Sequence, residues 1–296
     1  MSQQVPVILR VLSASLTLAS RAGQLIKDVV KSGTSLDIID KVEADRESEQ
    51  LIISSLSKHF PHLQIRGEEN IQIHTTNNTT FEELVNVNKD VLQTKCPNEF
   101  KNLEEKDIVV WVDPLDGTRE FTEGRLEGVT VLIGIATQGN PVAGVIHQPY
   151  FNSGEGRNVW GMINSGVHGL NKNQQPLLGR IIAGSLSHRS KTVMEAVKIC
   201  EPTEVIQIGG CGCKVLLVLD GKAHAYIHAS KGCSLWDTCA PDAILRAAGG
   251  RLTDVFGKDI SYDLNDNTSV QTGVLATMND HDWYTQRIRE KLQNQL

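Results

Sequence analysis

Apolar residues recur at helical spacing from the start of the chain. Val7, Ile8, Val11, Leu12, Leu18, Ala19, Ala22, Leu25, Ile26, Val29 and Val30 form one stripe, which predicts a long amphipathic first helix. Asp45 stands where an N-cap belongs, ahead of Leu51, Ile52, Leu56 and Phe60, and Pro61 stops the pattern, so a second helix is expected to start on that carboxylate. Leu63 to Ile65 alternates with polar residues and runs into Gly67-Glu68-Glu69, reading as a strand that ends in an acidic corner. The text from 71 to 106 turns polar and rich in Asn and Thr, with a short helix around Phe81 to Leu92; a mobile flap is expected there. Ile108 to Val112 is a short apolar strand delivering Asp113, and Val129 to Thr137 with Pro141 to His147 predicts a hairpin across Gln138-Gly139-Asn140.

Beyond a glycine-dense stretch around a strand at Val159 to Ile163, the elements alternate. Strands are expected at Ile181 to Gly184, Val205 to Ile208 and Ala223 to Ile227, with helices at Arg189 to Cys200 and Lys214 to Leu219 between them. Trp236-Asp237 opens a further helix that Gly249-Gly250 ends, and strands at Leu252 to Val255 and Val274 to Ala276 precede a terminal helix. The fold class is therefore α/β, an α+β lobe followed by an α/β lobe. The boundary falls near Pro176, dividing the chain into an N-terminal lobe at 1–175, carrying the 71–106 flap, and a C-terminal lobe at 176–296.

Composition narrows the chemistry. With 35 acidic against 29 basic side chains in 296 residues, the net charge of -6 argues against broad nucleic-acid binding, which needs a basic face. An acidic protein acting on an anionic substrate needs bound cations, so phosphate chemistry here would point to metals. Six cysteines in a long chain without a secretory leader suggest free thiols and a cytoplasmic location. No apolar run reaches membrane-spanning length, so no membrane partner is expected.

Taken alone, Asp113-Pro114-Leu115-Asp116-Gly117-Thr118 is an ordinary turn signal. Its setting changes that reading. Asp113 ends a buried strand and Asp116 follows shortly after, so a turn can bring both carboxylates and the Leu115 carbonyl to one hollow; hard oxygens of this kind suit Mg²⁺. Gly117 and Thr118 precede a helical turn at Arg119-Glu120-Phe121, where backbone N–H groups can meet an anion and the Thr118 hydroxyl can orient a water. In the Asp-x-Asp-Gly-Thr motif of aspartyl-phosphate phosphatases the first Asp attacks phosphorus; Pro114 holds that position here, which favours metal-activated water. Singly, Asp45 and Asp237 also read as helix caps and Glu68-Glu69 as a solvated corner.

Together, Asp113-Pro-Leu-Asp-Gly-Thr118, the upstream Gly67-Glu-Glu69 and the downstream Trp236-Asp237 resemble the inositol monophosphatase superfamily, and the resemblance covers essentially the whole chain. It implies a layered αβαβα sandwich of the sugar-phosphatase type. It also implies that Glu68, Asp113 and the Leu115 carbonyl hold one Mg²⁺ while Asp113, Asp116 and Asp237 hold a second, with a third left open. Asp45 with Thr118 is implied to activate the attacking water.

Ser185-Leu-Ser-His188, Gly209-Gly-Cys-Gly-Cys-Lys214 and Trp236-Asp-Thr-Cys-Ala-Pro241 resemble the 3'(2'),5'-bisphosphate nucleotidase branch of that superfamily. That branch implies Ser185, His188, Gly210 and Lys214 around a nucleotide, with Lys214 on the phosphate that is kept. Cys213 and Leu235 depart from it, standing where a polar residue and a lysine are expected. The implied activity is removal of the 3'-phosphate of adenosine 3',5'-bisphosphate to give AMP, and of its 5'-phosphosulfate analogue, with lithium inhibition. Inositol phosphate 1-phosphatase or fructose 1,6-bisphosphatase activity, and a nucleotide-binding regulator without turnover, are the alternatives.

Overall fold

The computed structural model describes residues 5–32, 38–69, 84, 88–171, 177–185 and 190–292. Helix α1 (Val7–Ser32) forms over the first apolar stripe and buries Ile8, Leu12, Ala19, Ala22 and Ile26 completely. Helix α2 (Ile38–His59) corrects the sequence expectation, because it begins well before Asp45, which lies inside it and caps nothing. The reason is physical. Beside Ala44, the buried positions of its middle turns are Asp45, Ser48 and Glu49, and polar residues on the inner face erase the apolar period there.

Both helices cover one face of a six-stranded sheet ordered β1 (Gln64–Gly67), β2 (Val109–Asp116), β3 (Thr130–Thr137), β4 (Asn140–Gln148), β5 (Arg157–Met162) and β6 (Gly166–His168). Only the β1–β2 pair is parallel. After β2 comes the short helix α3 (Thr118–Thr122). The β3–β4 hairpin closes as expected across Gln138 and Gly139, both at positive φ, with Thr137 opposite Asn140. Of the 71–106 segment, residues 71–83 and 85–87 lie outside the described residues; a helical turn at Lys89–Gln93 leads to the strand.

The second sheet runs β11-β13-β9-β7-β8, from β7 (Ile181–Ser185), β8 (Glu204–Ile208), β9 (Ala225–His228), β11 (Arg251–Asp254) and β13 (Val274–Thr277). A small pair, β10 (Cys233–Ser234) with β12 (Ser269–Val270), lies apart and was not anticipated from pattern, since two residues show no period. Helices α4 (Lys191–Ile199) and α7 (His281–Leu292) share the outer core with Ile182, Ile227 and Leu275. Between the sheets lie α5 (Cys211–Leu219) and α6 (Leu235–Ala247), and one core joins Trp111, Leu132 and Ile146 to Leu216, Tyr226 and Ile244. The layers are thus αβαβα, and the middle core draws on both halves of the chain.

Two paired glycines let α6 sit hard against the first sheet. Gly134 and Gly144 face each other on β3 and β4, and a Cβ on either would fall 2.5 Å from Cys239 Cβ or 2.7 Å from the Ala240 carbonyl oxygen. All six cysteines are free and buried. Among the described residues no helix is long and apolar enough to cross a membrane.

Candidate active site

The parallel pairing of β1 with β2 sets Gly67 opposite Val112, so the next residues, Glu68 and Asp113, emerge side by side at the strand ends. β2 does not stop at Asp113 as the sequence suggested. It continues to Asp116 through a bulge: Asp113 pairs with Leu132 and Asp116 with Thr130, so Pro114 and Leu115 face Val131 alone. Bulges absorb a proline that a regular ladder would reject, and they re-aim the side chains around them. Asp113 Oδ1 accepts the Leu115 N–H at 3.0 Å.

Asp116 is held from three directions. Its Oδ2 accepts the Thr130 hydroxyl at 2.6 Å and the Gly212 N–H at 2.7 Å, and its Oδ1 accepts the Cys211 N–H at 2.8 Å. A side chain from β2 therefore caps the start of α5. The approach requires small residues: a Cβ on Gly212 would fall 2.6 Å from Thr130 Oγ1, and one on Gly210 would fall 2.8 Å from the Gly128 carbonyl. Asp237 is the third residue of α6 and half of a capping box, accepting the Ser234 N–H at 2.5 Å while Ser234 accepts the Asp237 N–H.

Oxygens of Asp113, Asp116 and Asp237 lie within 4.8 Å of one another. Burial, and then the charges of Glu68, Asp116, Asp237 and Asp45, push Asp113 well above the usual carboxylate range. Burial, then Asp116, raise Asp237 to about 7, against the pull of its bond from Ser234 and of the Lys214 charge. Buried hard oxygens with a mutually raised demand for positive charge are the donor set that fits a divalent cation.

One pocket gathers nearly every residue the sequence nominated: Glu68, Asp113, Leu115, Asp116 and Asp237, with Gly117, Thr118, Ser185, Gly210 and Lys214. Glu68 lines it while Glu69 is exposed, its N–H donating to Glu49 Oε2 at 2.9 Å. Asp45 is buried on α2, near enough to act on Asp113, without lining the pocket. His188 lies outside the described residues. Lys214 is 5% exposed, 5.0 Å from the centre of the Tyr226 ring, with Nζ donating to Ser185 Oγ at 3.5 Å. Among the described residues it has no ion-pair partner.

Sequence reasoning missed Glu49, Thr130, Tyr226 and His228. Glu49 was legible one helical turn beyond Asp45 had α2 been started correctly. Thr130 is the cross-strand partner of Asp116 and needed the bulge to be known. Tyr226 and His228 share one face of β9 and line the pocket, with no sequence signal beyond a polar residue ending an apolar strand.

A layered sandwich with a carboxylate cluster beside a buried lysine is the arrangement of a metal-assisted phosphatase. The chain belongs to the inositol monophosphatase family, whose model matches residues 9–294. It is 38% identical over 309 residues to 3'(2'),5'-bisphosphate nucleotidase 1 of Homo sapiens, covering 100% of this chain and 99% of that one. To the protein of the same name from Dictyostelium discoideum it is 37% identical over 297 residues, covering 94% and 95%. A solved inositol monophosphatase from Zymomonas mobilis shares the fold with a TM-score of 0.67 at 18% identity, over 94% of this chain and 97% of that one.

Proposed function

We propose that this chain removes the 3'-phosphate of adenosine 3',5'-bisphosphate, giving AMP and inorganic phosphate, and acts likewise on the 5'-phosphosulfate analogue. The observation that carries the reading is Lys214, a buried cation set in the same pocket as the acid cluster, which feels the charge of Asp237 but, among the described residues, makes no salt bridge. A substrate with a second phosphate supplies that missing anion. The likeness to two named 3'(2'),5'-bisphosphate nucleotidases supports the same choice.

In this reading Glu68, Asp113 and the Leu115 carbonyl hold one Mg²⁺, and Asp113, Asp116 and Asp237 a second. When bound, the cations offset the charge that develops on phosphorus-bound oxygens and activate water for in-line attack. Thr118 orients that water and relays its proton to the Asp45 carboxylate, while the Gly117 backbone faces the phosphate being cleaved. Ser185, Gly210, His188 and Lys214 hold the nucleotide, so residues 1–175 supply most of the metal ligands and 176–296 most of the substrate contacts. The six free buried thiols support a reducing, cytoplasmic setting.

The test is phosphate release from adenosine 3',5'-bisphosphate, inositol 1-phosphate, inositol 1,4-bisphosphate and fructose 1,6-bisphosphate, with Mg²⁺, with EDTA and with added lithium. Fastest release from the nucleotide, abolished by EDTA, is expected. Faster release from an inositol phosphate would overturn the substrate assignment, and no release from any would overturn the enzyme.

A further inference from the structure

Glu120 follows Thr118 by two residues on α3, is 3% exposed and lines the pocket of the acid cluster. Its side chain lies between two glycines. A Cβ on Gly209 would fall 1.7 Å from Glu120 Cδ and 2.1 Å from its Oε2, and one on Gly128 would fall 2.9 Å from its Cγ. The carboxylate thus fills the space that any side chain at 209 would need, and closes the pocket wall against the Gly209-Gly210 turn. Its one polar side-chain partner among the described residues is Arg125, whose Nη2 is 3.5 Å from Oε1 and whose Nη1 pairs with Glu123. No described donor reaches Oε2.

This acid stands outside the metal cluster, whose members are Asp113, Asp116 and Asp237 with Glu68 beside them. A carboxylate can only accept hydrogen bonds, and it repels phosphate. In a pocket for an anionic ester it is a penalty unless the substrate brings it a donor. Arg125 offsets part of its charge and leaves the second oxygen to be satisfied. A nucleoside 3',5'-bisphosphate has two uncharged donors to offer, the remaining sugar hydroxyl and the amine of the base. The hydroxyl is on the carbon next to the ester being cleaved, as Glu120 is next to the turn of chain that handles that ester; the amine is at the far end of the base.

We propose that Glu120 is a specificity residue, accepting a hydrogen bond from the hydroxyl adjacent to the scissile phosphate ester, the 2'-hydroxyl of adenosine 3',5'-bisphosphate. This rests on the nucleotidase reading above. A site built to pair with a substrate hydroxyl rejects the analogue that lacks it, because its own buried group is then left without a partner.

The experiment is steady-state phosphate release, with Mg²⁺, from adenosine 3',5'-bisphosphate and from its 2'-deoxy and inosine counterparts, by wild type, Glu120→Ala and Glu120→Gln. Wild-type kcat/KM is expected to fall roughly tenfold from the ribose to the deoxyribose substrate. Glu120→Ala should treat the two alike, and Glu120→Gln, whose amide oxygen still accepts, should keep part of the preference; if the first variant does not fold, the smaller preference of the second decides. The adenosine-to-inosine ratio should be the same in all three proteins. Equal wild-type rates on ribose and deoxyribose overturn the role of Glu120. So does an equal loss on both substrates in Glu120→Ala, which would make the side chain a brace for the Gly209 turn, and so does a change confined to inosine, which would assign the carboxylate to the amine. All three leave the nucleotidase reading standing, whereas no release from adenosine 3',5'-bisphosphate by wild type overturns both.

Discussion

The Gly212 N–H donates to Asp116 Oδ2 across 2.7 Å, tying the end of β2 to the first turn of α5. The bond crosses from the first half of the chain to the second and fixes a carboxylate of the cluster as it does so. Gly212→Ala would set a methyl 2.6 Å from Thr130 Oγ1 and 2.7 Å from Leu132 Cδ2. The expected cost is about 1–3 kcal/mol of stability, as for an overpacked core site. A weaker Mg²⁺ dependence of activity should accompany it, because Asp116 shifts with the helix. A denaturant melt and a Mg²⁺ titration check the two effects; unchanged Mg²⁺ affinity in a destabilised variant would refute the coupling.

Asp113→Asn separates function from stability. Burial, and then four neighbouring carboxylates, raise the Asp113 proton affinity, so its charge is unwelcome in the metal-free fold. The variant is expected to lose phosphate release altogether while its metal-free form melts at a higher temperature than wild type. A lower melting temperature would mean that Asp113 has a structural partner worth more than the repulsion it relieves.

Stability should depend on pH in a way that metal reverses. Asp237 holds its proton up to about 7 in the fold, against an ordinary value of 3.8. Its raised affinity stabilises the metal-free fold fully at low pH, and that contribution is lost as pH climbs through the window between those values. His147 and His281, lowered to about 4 by burial, act in the opposite sense: their contribution is present above the ordinary 6.5 and lost as pH falls toward 4. The difference between wild type and Asp237→Asn isolates the carboxylate. Melts in EDTA at pH 5 and pH 8 should show wild type losing more stability on going to the higher pH than the variant does, and added Mg²⁺ should raise the wild-type melting temperature most at pH 8.

Ser234→Ala removes the hydroxyl that accepts the Asp237 N–H. Loss of such a cap costs roughly 0.5–2 kcal/mol. Because the capped residue is itself in the cluster, the Mg²⁺ requirement should rise with the loss of stability, and Ser234→Thr should restore both. Thermal melts and Mg²⁺ titrations of the two variants decide it.

The sequence carried most of the layer order, since α1, the β3–β4 hairpin and the later alternation each have a clean period. It misled where polar residues face inward. Asp45, Ser48 and Glu49 broke the inner stripe of α2 and hid its start. At Asp113 to Asp116 a turn signal was honoured as a bulge within a strand, because Thr130 across the ladder rewards the continued pairing with a bond to Asp116. The cluster was legible through its motifs, but the props beneath it were not. Contacts such as Thr130 to Asp116 or Glu49 to the Glu69 N–H join residues that share no local pattern.

The capping bonds of Asp116 and Asp237 bear on how lineages of this fold can drift. A descendant that abandoned catalysis would still need both aspartates to start two central helices, so selection for folding alone would preserve them. Their presence in a relative attests to architecture before it attests to turnover. Lys214 carries the opposite message: an interior cation that makes no salt bridge among the described residues is a burden to a protein that meets no anion, and an idle lineage would be expected to shed it early.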